Sequence, residues 1–154
     1  MRDFNEADRK KKNTRINIPE NPGDLSQESL SQLENTVKAS LKDGYLSCPM
    51  AFKIADEAKV PKIAVGEMVD RLGIRVTSCQ IGCFKVDKTP YDNSAPKNAD
   101  GEITTRLEAL NEANELTCAN VFDLALQLKS PPKVIADAAN LRNLKIHRCQ
   151  LGCF

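Results

Sequence analysis

The sequence predicts a mainly α-helical fold built from two tandem copies of one small module. Residues 46–84 align without a gap with residues 116–154, and eleven of the 39 aligned positions are identical. Helical patterns of apolar residues recur in the same order in both copies. Each copy also ends in Cys-Gln-(Ile/Leu)-Gly-Cys-Phe. A repeat of this kind indicates that both copies perform one structural job.

The composition limits the classes to which the protein can belong. The chain has 154 residues, 41% of them hydrophobic and 28% charged, which is typical of one sizeable globular domain or two small ones. The first residues open no apolar run, and no stretch approaches the length of a membrane span. We therefore expect a cytoplasmic protein with no membrane partner. In that compartment, six cysteines favour metal or redox chemistry over structural disulfides.

Each copy is expected to contain three helices and a short strand. The second helix starts after a Ser or Thr that is suited to be its N-cap, and a proline lies in the turn before the third helix. The β-branched stretch after the third helix alternates as a strand would. The predicted ranges, first copy then second, are a lead-in helix at 26–43 and 102–114, a second helix from Ser47 and Thr117, a third helix at 62–72 and 132–142, and a strand at 74–77 and 144–147.

The regions outside the copies lack such patterns. The N-terminal stretch is basic in Arg9-Lys10-Lys11-Lys12 and carries prolines, and the stretch between the copies is rich in Pro, Asp and Asn. Both are typical of extended or linking segments. The predicted organisation is a basic flexible N-terminal arm at 1–22, a first cysteine module at 23–84, a linker at 85–101 and a second cysteine module at 102–154.

The middle of each copy resembles a helix-turn-helix, and the trailing strand adds a likeness to winged-helix domains. Apolar residues occupy the pattern's fixed positions, while the turn position that usually holds glycine is Lys59 or Lys129. The resemblance implies two tandem three-helix modules, each followed by a short strand and a cysteine turn, and it implies nucleic-acid binding. The residues that carry it are Ile54, Ala55, Ala58, Val60, Val65 and Met68 in the first copy, and Leu124, Ala125, Leu128, Ile135 and Ala138 in the second.

The three cysteines of each copy are candidate metal ligands. The first lies at a helix start, where the helix dipole favours a thiolate. The other two form a Cys-x3-Cys turn whose glycine lets the backbone wrap around an ion, with amides directed at sulfur as in iron–sulfur sites. The predicted ligands are Cys48, Cys79 and Cys83 in the first copy, and Cys118, Cys149 and Cys153 in the second.

Three thiolates are one ligand short of the four that a structural zinc ion normally takes. An iron–sulfur cluster is therefore the favoured cofactor and zinc the alternative, with the fourth ligand supplied by the other module, a small molecule or a partner chain. All six thiols could also meet around one larger centre. His147 is a weaker ligand candidate, because Thr77 occupies its place in the first copy. Buried structural thiols, or a redox disulfide between Cys79 and Cys83, remain the other interpretations.

Basic and amide side chains make the second copy the better candidate for binding nucleic acid. Residues 116–154 carry five basic side chains and two acidic ones. In the first copy, Glu67 and Asp70 lie on the helix that would enter the DNA groove, where they would repel phosphates. The candidate nucleic-acid-binding residues are Lys133, Asn140, Arg142, Asn143, Lys145 and Arg148.

Two functional hypotheses follow. The first is a metal- or redox-responsive regulator that binds DNA through its helix-turn-helix modules. The alternative is an accessory or electron-transfer subunit that holds iron–sulfur clusters in a metalloenzyme complex and binds no DNA. The sequence contains no phosphate-binding loop, no Ser/His/Asp set and no dinucleotide fingerprint, so we do not expect an enzyme.

Overall fold

The structure is a computed structural model that describes residues 4–83 and 97–154. Over these residues the chain forms seven α-helices and two three-residue strands, which confirms the predicted mainly α-helical fold. The helices are α1 (Glu6–Asn13), α2 (Gln27–Ala39), α3 (Cys48–Ala58), α4 (Lys62–Arg71), α5 (Lys97–Glu112), α6 (Cys118–Gln127) and α7 (Pro132–Leu141). The strands are β1 (Tyr45–Ser47) and β2 (Arg75–Thr77). No helix in the described part of the chain is long and apolar enough to cross a membrane.

The chain divides into two compact units whose boundaries cross the sequence repeat. The first unit comprises Met1–Cys79 together with Gln150–Phe154, and the second comprises Gln80–Cys149. Each unit therefore contains the helices of one copy and the end of the cysteine turn of the other copy. The sequence had assigned each turn to its own copy. The predicted linker at 85–101 lies outside the described residues as far as position 96, and its last five residues begin helix α5.

In the first unit, helices α2, α3 and α4 pack on one another beside a two-stranded parallel sheet. Strand β1 pairs with β2 so that Leu46 lies opposite Val76, and both side chains are buried. The pairing brings the start of α3 to the same end of the sheet as the cysteine turn. The buried apolar side chains of this unit include Leu33, Val37, Ala51, Ile54, Val65, Met68 and Val69.

The turn between α3 and α4 and the turn between α6 and α7 have the same backbone conformation at their lysine. Lys59 has a φ of 53° and Lys129 a φ of 51°, in the left-handed region that glycine usually occupies. The next residue in each copy donates its amide back to the preceding helix, from Val60 to the Ala55 carbonyl at 3.0 Å in the first copy. The lysines thus take the conformation that the turn requires.

The N-terminal segment differs from the flexible arm expected over residues 1–22, because Glu6–Asn13 form helix α1. Asn5 and Asp8 form a capping box at its start. Two ion pairs hold it on the first unit: Lys12 pairs with Asp70 of α4, and Arg75 Nη2 of β2 donates to Asp8 Oδ2 at 2.9 Å. The basic run is therefore partly engaged within its own unit.

In the second unit, α7 packs on both α5 and α6. The strand expected at 144–147 is reduced to a single parallel bridge between Thr117 and His147. Ile146 beside it is buried, as is Val76 at the matching position of the first copy. The second unit therefore has one bridged pair of residues before its helix start, where the first unit has three.

Candidate cysteine centres

Cys48 and Cys79 lie at the same end of the first unit's parallel strand pair. Strand β1 ends at Ser47, which caps α3 by accepting the Met50 amide at 3.4 Å, and Cys48 is the first residue of that helix. Ser47 lies opposite Thr77, and Cys79 follows two residues later. Both thiols are buried, each 5% exposed. The strand pairing therefore places the helix-start cysteine and the first cysteine of the turn at the same end of the sheet.

The second unit repeats this arrangement with Cys118 and Cys149. Thr117 caps α6 by accepting the Asn120 amide at 3.2 Å. The Cys118 amide donates to the His147 carbonyl at 3.0 Å, and Cys149 follows His147 by two residues. Cys118 is buried and Cys149 is half-buried. The equivalent thiols of the two copies thus occupy equivalent places.

The last cysteine of each turn belongs to the other unit. Cys153 falls in the first unit with Cys48 and Cys79, whereas Cys83 falls in the second with Cys118 and Cys149. Cys83 is exposed and Cys153 is half-buried. The sequence predicts one trio in each copy, with a ligand from the other module as an alternative, and the unit boundary separates the third cysteine of each copy from the first two. A repeat whose turns are nearly identical carries no signal that distinguishes the two groupings.

The C-terminal turn, residues 150–154, packs closely against the backbone of helix α4. A Cβ added at Gly66 would lie 1.9 Å from the carbonyl oxygen of Leu151, so only glycine permits this contact. Leu151 is 1% exposed. Gly152 has a φ of 68°, and a Cβ there would lie 2.5 Å from Ile18 Cδ1. Gly66 was missed by the sequence analysis, although a glycine inside a helix is a signal of close packing.

The acidic residues of α4 are paired within the first unit. Glu67 is buried, and the Arg71 guanidinium donates to both of its carboxylate oxygens at 3.0 Å. Asp70 pairs with Lys12, and the two side chains are only 13% and 12% exposed. Burial raises the pKa of Asp70 above its ordinary value of 3.8, while the hydrogen bond and charge of Lys12 act in the opposite direction. Neither carboxylate is thus an isolated surface charge that would simply repel phosphates.

Four of the six candidate nucleic-acid-binding residues are exposed on the second unit, namely Asn140, Asn143, Lys145 and Arg148. The other two are engaged internally. Lys133 pairs with Asp137 one turn along α7, with the closest N–O distance at 2.9 Å. The Arg142 guanidinium donates to the Ala138 carbonyl at 2.9 Å.

Within residues 4–83 and 97–154, no three His, Cys, Asp or Glu side chains are arranged to hold a metal ion. Thiolates are ligands that thiophilic metals prefer, and each unit contains three thiols. Binding would require these side chains to turn toward one another. Comparisons with protein-family models, with curated proteins and with solved structures find no match for the chain.

Proposed function

We propose that the protein binds metal through its six cysteines and acts as a cytoplasmic accessory or electron-transfer subunit of a metalloenzyme complex. An iron–sulfur cluster is the favoured cofactor and zinc the alternative. The support for metal binding is the trio of thiols in each unit, of which Cys48 and Cys118 are the first residues of helices α3 and α6. When bound, a cluster would supply one-electron redox chemistry, and the protein would hold it and control its exposure to water.

The observation that favours an accessory role over DNA binding is the burial of helix α4. Six consecutive residues of this helix, 64–69, are buried. Six residues cover more than one and a half helical turns, so the buried surface extends around the whole circumference. The C-terminal turn lies on the backbone at Gly66, and α1 pairs with the helix at Asp70. A helix covered in this way cannot enter a major groove unless these contacts break.

The exposed polar residues of the second unit support the second candidate function, a metal-responsive regulator that binds DNA. Asn140 is exposed on α7, and Lys145 and Arg148 are exposed beyond it. Helix α7 is buried along one side only. In this alternative, the second unit would contact DNA and the first would serve a structural role.

Anaerobic purification followed by an absorption spectrum and analysis of iron, sulfide and zinc tests the shared premise. We expect bound metal in the wild-type protein and less of it after Cys79→Ser. Ser78→Ala, next to this cysteine, is the matched control and should retain the wild-type content. Colourless, metal-free protein with six reactive thiols would refute the proposal.

Binding to duplex DNA at increasing salt concentration separates the two candidates. An accessory subunit should show at most weak binding that disappears as salt rises. If the regulator is correct, Lys145→Ala and Arg148→Ala should each reduce the slope of log affinity against log salt by about one. Lys53→Ala, an exposed lysine of α3 in the first unit, is the control. Sequence-specific binding that persists at physiological salt would overturn the accessory role.

A further inference from the structure

Helices α5 and α6 of the second unit border a cavity of about 390 Å³. Leu110 of α5 and Leu124 of α6 line it with apolar side chains, and Leu124 is buried. On α6 the lining extends from Asn120 to Gln127, which is about 10 Å or two helical turns. Binding sites in proteins commonly have volumes of about 300–1,000 Å³. The second unit therefore has room between these two helices for side chains of a ligand.

The border of this cavity is acidic. Glu115, just after α5, and Asp123 of α6 both line it, and both are exposed. No ion pair engages either carboxylate within the described part of the chain. Over residues 101–127 the chain carries one basic side chain, Arg106, and five acidic ones, and all six are exposed. Such a surface favours a ligand that is both cationic and apolar, and it repels the phosphates of DNA or of a membrane.

An exposed leucine continues the apolar surface past the cavity. Leu126 does not line the cavity, but it lies three residues after Asp123 on α6 and is 81% exposed. Residues three apart on a helix are neighbours on its surface. A small cation confined to the cavity would leave Leu126 in water, whereas a segment that runs along α6 would cover Leu126 and the cavity together. The arrangement therefore fits a polypeptide segment rather than a small molecule.

We propose that the surface formed by Leu110, Glu115, Asp123, Leu124 and Leu126, here called the acidic groove, binds a basic amphipathic helix of a partner protein. A surface bordered by two helices is a usual place for a third helix to pack. A lysine or arginine of the partner pairs with each carboxylate, and its apolar residues contact Leu126 and fill the cavity. This inference deepens the proposed accessory role, on which it rests, because it assigns the surface through which the chain docks on its complex.

Binding of a synthetic peptide to the full-length chain, measured by fluorescence anisotropy at low salt, tests the proposal. The probe is a labelled helical peptide of about four turns, with leucine on one face and lysine on the other. Its matched control carries glutamate at every lysine position. We expect the lysine peptide to bind and the glutamate peptide not to bind. Binding should weaken as salt is added, because exposed charges are screened.

Charge variants of the chain locate the binding surface. Glu115→Gln and Asp123→Asn should each weaken binding of the lysine peptide about two- to fivefold, the usual worth of one exposed ion pair. Arg106→Gln removes the basic side chain that lines the cavity, so it should tighten binding by a similar factor. Glu108→Gln removes an exposed carboxylate of α5 that does not line the cavity, and this control should have little effect.

Two exposed leucines of the second unit provide a matched test of the apolar contact. Leu126→Ala should weaken binding of the lysine peptide about fivefold, the loss expected for a side chain that contributes substantially to an interface. Leu141→Ala, at the end of α7 and 61% exposed, should leave binding unchanged. Circular dichroism verifies that both variants retain their helices.

Each other occupant of the groove gives a different result. A wild-type dimer in sedimentation that Asp123→Asn dissociates would mean that a second copy of the chain occupies the groove. Displacement of the peptide by putrescine, beyond that by NaCl at equal ionic strength, would assign the cavity to a small cation. Either result would overturn the inference, as would no binding of the lysine peptide at low salt or equal losses in Glu108→Gln and Asp123→Asn.

The metal content of the same wild-type preparation distinguishes failure of this inference from failure of the proposed function. A metal-bearing chain that does not bind the lysine peptide would overturn the inference alone. A metal-free chain would overturn the metal-binding function, whatever the peptide does.

Discussion

Helices α4 and α7 occupy the same place in the repeat but have different surroundings. In α4 the run of buried residues is unbroken from 64 to 69, whereas in α7 it is interrupted at Asp137 and ends before Asn140. The close contact with the C-terminal turn occurs at Gly66, and the matching residue of α7 is Ala136. Helix α4 is thus buried on all sides over these residues, whereas α7 has one exposed side.

The two helices also differ in charge at one matching position. Asp70 is half of a nearly buried ion pair with Lys12 of α1, and the matching residue of α7 is the exposed, uncharged Asn140. A buried carboxylate needs a partner to be stable, and Lys12 of α1 provides it for Asp70. The N-terminal segment is therefore part of the structure of the first unit, and α7 lacks a matching ion pair at Asn140 because that residue carries no charge.

Exchanging the small residues of the two helices should change the free energy of unfolding most. Gly66→Ala places a Cβ against the Leu151 carbonyl, and overpacking against a fixed backbone costs about 3 kcal/mol. Ala136→Gly should cost only about 1 kcal/mol, the usual penalty of glycine in a helix. Urea denaturation gives both values.

Thiol reactivity adds a second measurement to the same pair. If Gly66→Ala displaces the C-terminal turn, Cys153 should react faster with a thiol reagent, and Ala136→Gly should not change its rate. A Gly66→Ala protein with wild-type stability and wild-type Cys153 reactivity would mean that the turn does not lie on α4 in solution.

An intermediate effect is expected from the ion pair that joins α1 to α4. Lys12→Met leaves the Asp70 carboxylate buried without its partner, so it should destabilise the first unit by roughly 1–3 kcal/mol at neutral pH. Burial already raises the pKa of Asp70, and the loss of Lys12 raises it further. Stability is then retained below the ordinary pKa of 3.8 and lost as pH rises through the higher folded pKa. Urea denaturation at neutral pH should therefore show a larger deficit than at acidic pH.

Two controls make this prediction specific. Lys10→Met removes an exposed ion pair with Glu6, so its effect should stay within about 0.5 kcal/mol. Adding Asp70→Asn to Lys12→Met gives α4 the residue that α7 carries at Asn140, and this should recover much of the loss because no buried charge remains. A deficit in Lys12→Met that does not depend on pH would contradict the role given to Asp70.

The local features of both copies could be predicted from the sequence, since they depend on neighbouring residues. Ser47 and Thr117 are the N-caps that their positions predicted, and the six main helices of the copies are found with ends shifted by a few residues. Helix α1 was missed because a basic run is usually solvated, and the partner of Lys12 is 58 residues away. The capping box from Asn5 to Asp8 is the local signal that could have revealed it.

The division of each cysteine turn between the two compact units could not be predicted, and the reason is physical. Both turns have nearly the same sequence, so either could pack on either copy as far as local pattern is concerned. The contact of Leu151 with Gly66 depends on chain direction and loop length across the whole molecule. His147 is hard to single out from the sequence for a similar reason: its type and spacing are visible there, but the burial of its Nε2 with no hydrogen-bond partner among the described residues is not.

Substitutions in the turn that the two copies share should change stability least. Lys59 and Lys129 both have left-handed backbone conformations, which cost a non-glycine residue about 1–2 kcal/mol. Glycine removes this cost but loses more backbone entropy on folding, so Lys59→Gly and Lys129→Gly should each stabilise the protein by up to about 1 kcal/mol. Lys53→Gly, at an exposed helical position, should instead destabilise it by about 1 kcal/mol. Thermal denaturation of the three variants compares them directly. Opposite signs at Lys59 and Lys129 would mean that the difference between the copies extends into the turn, because equal backbone angles predict equal responses.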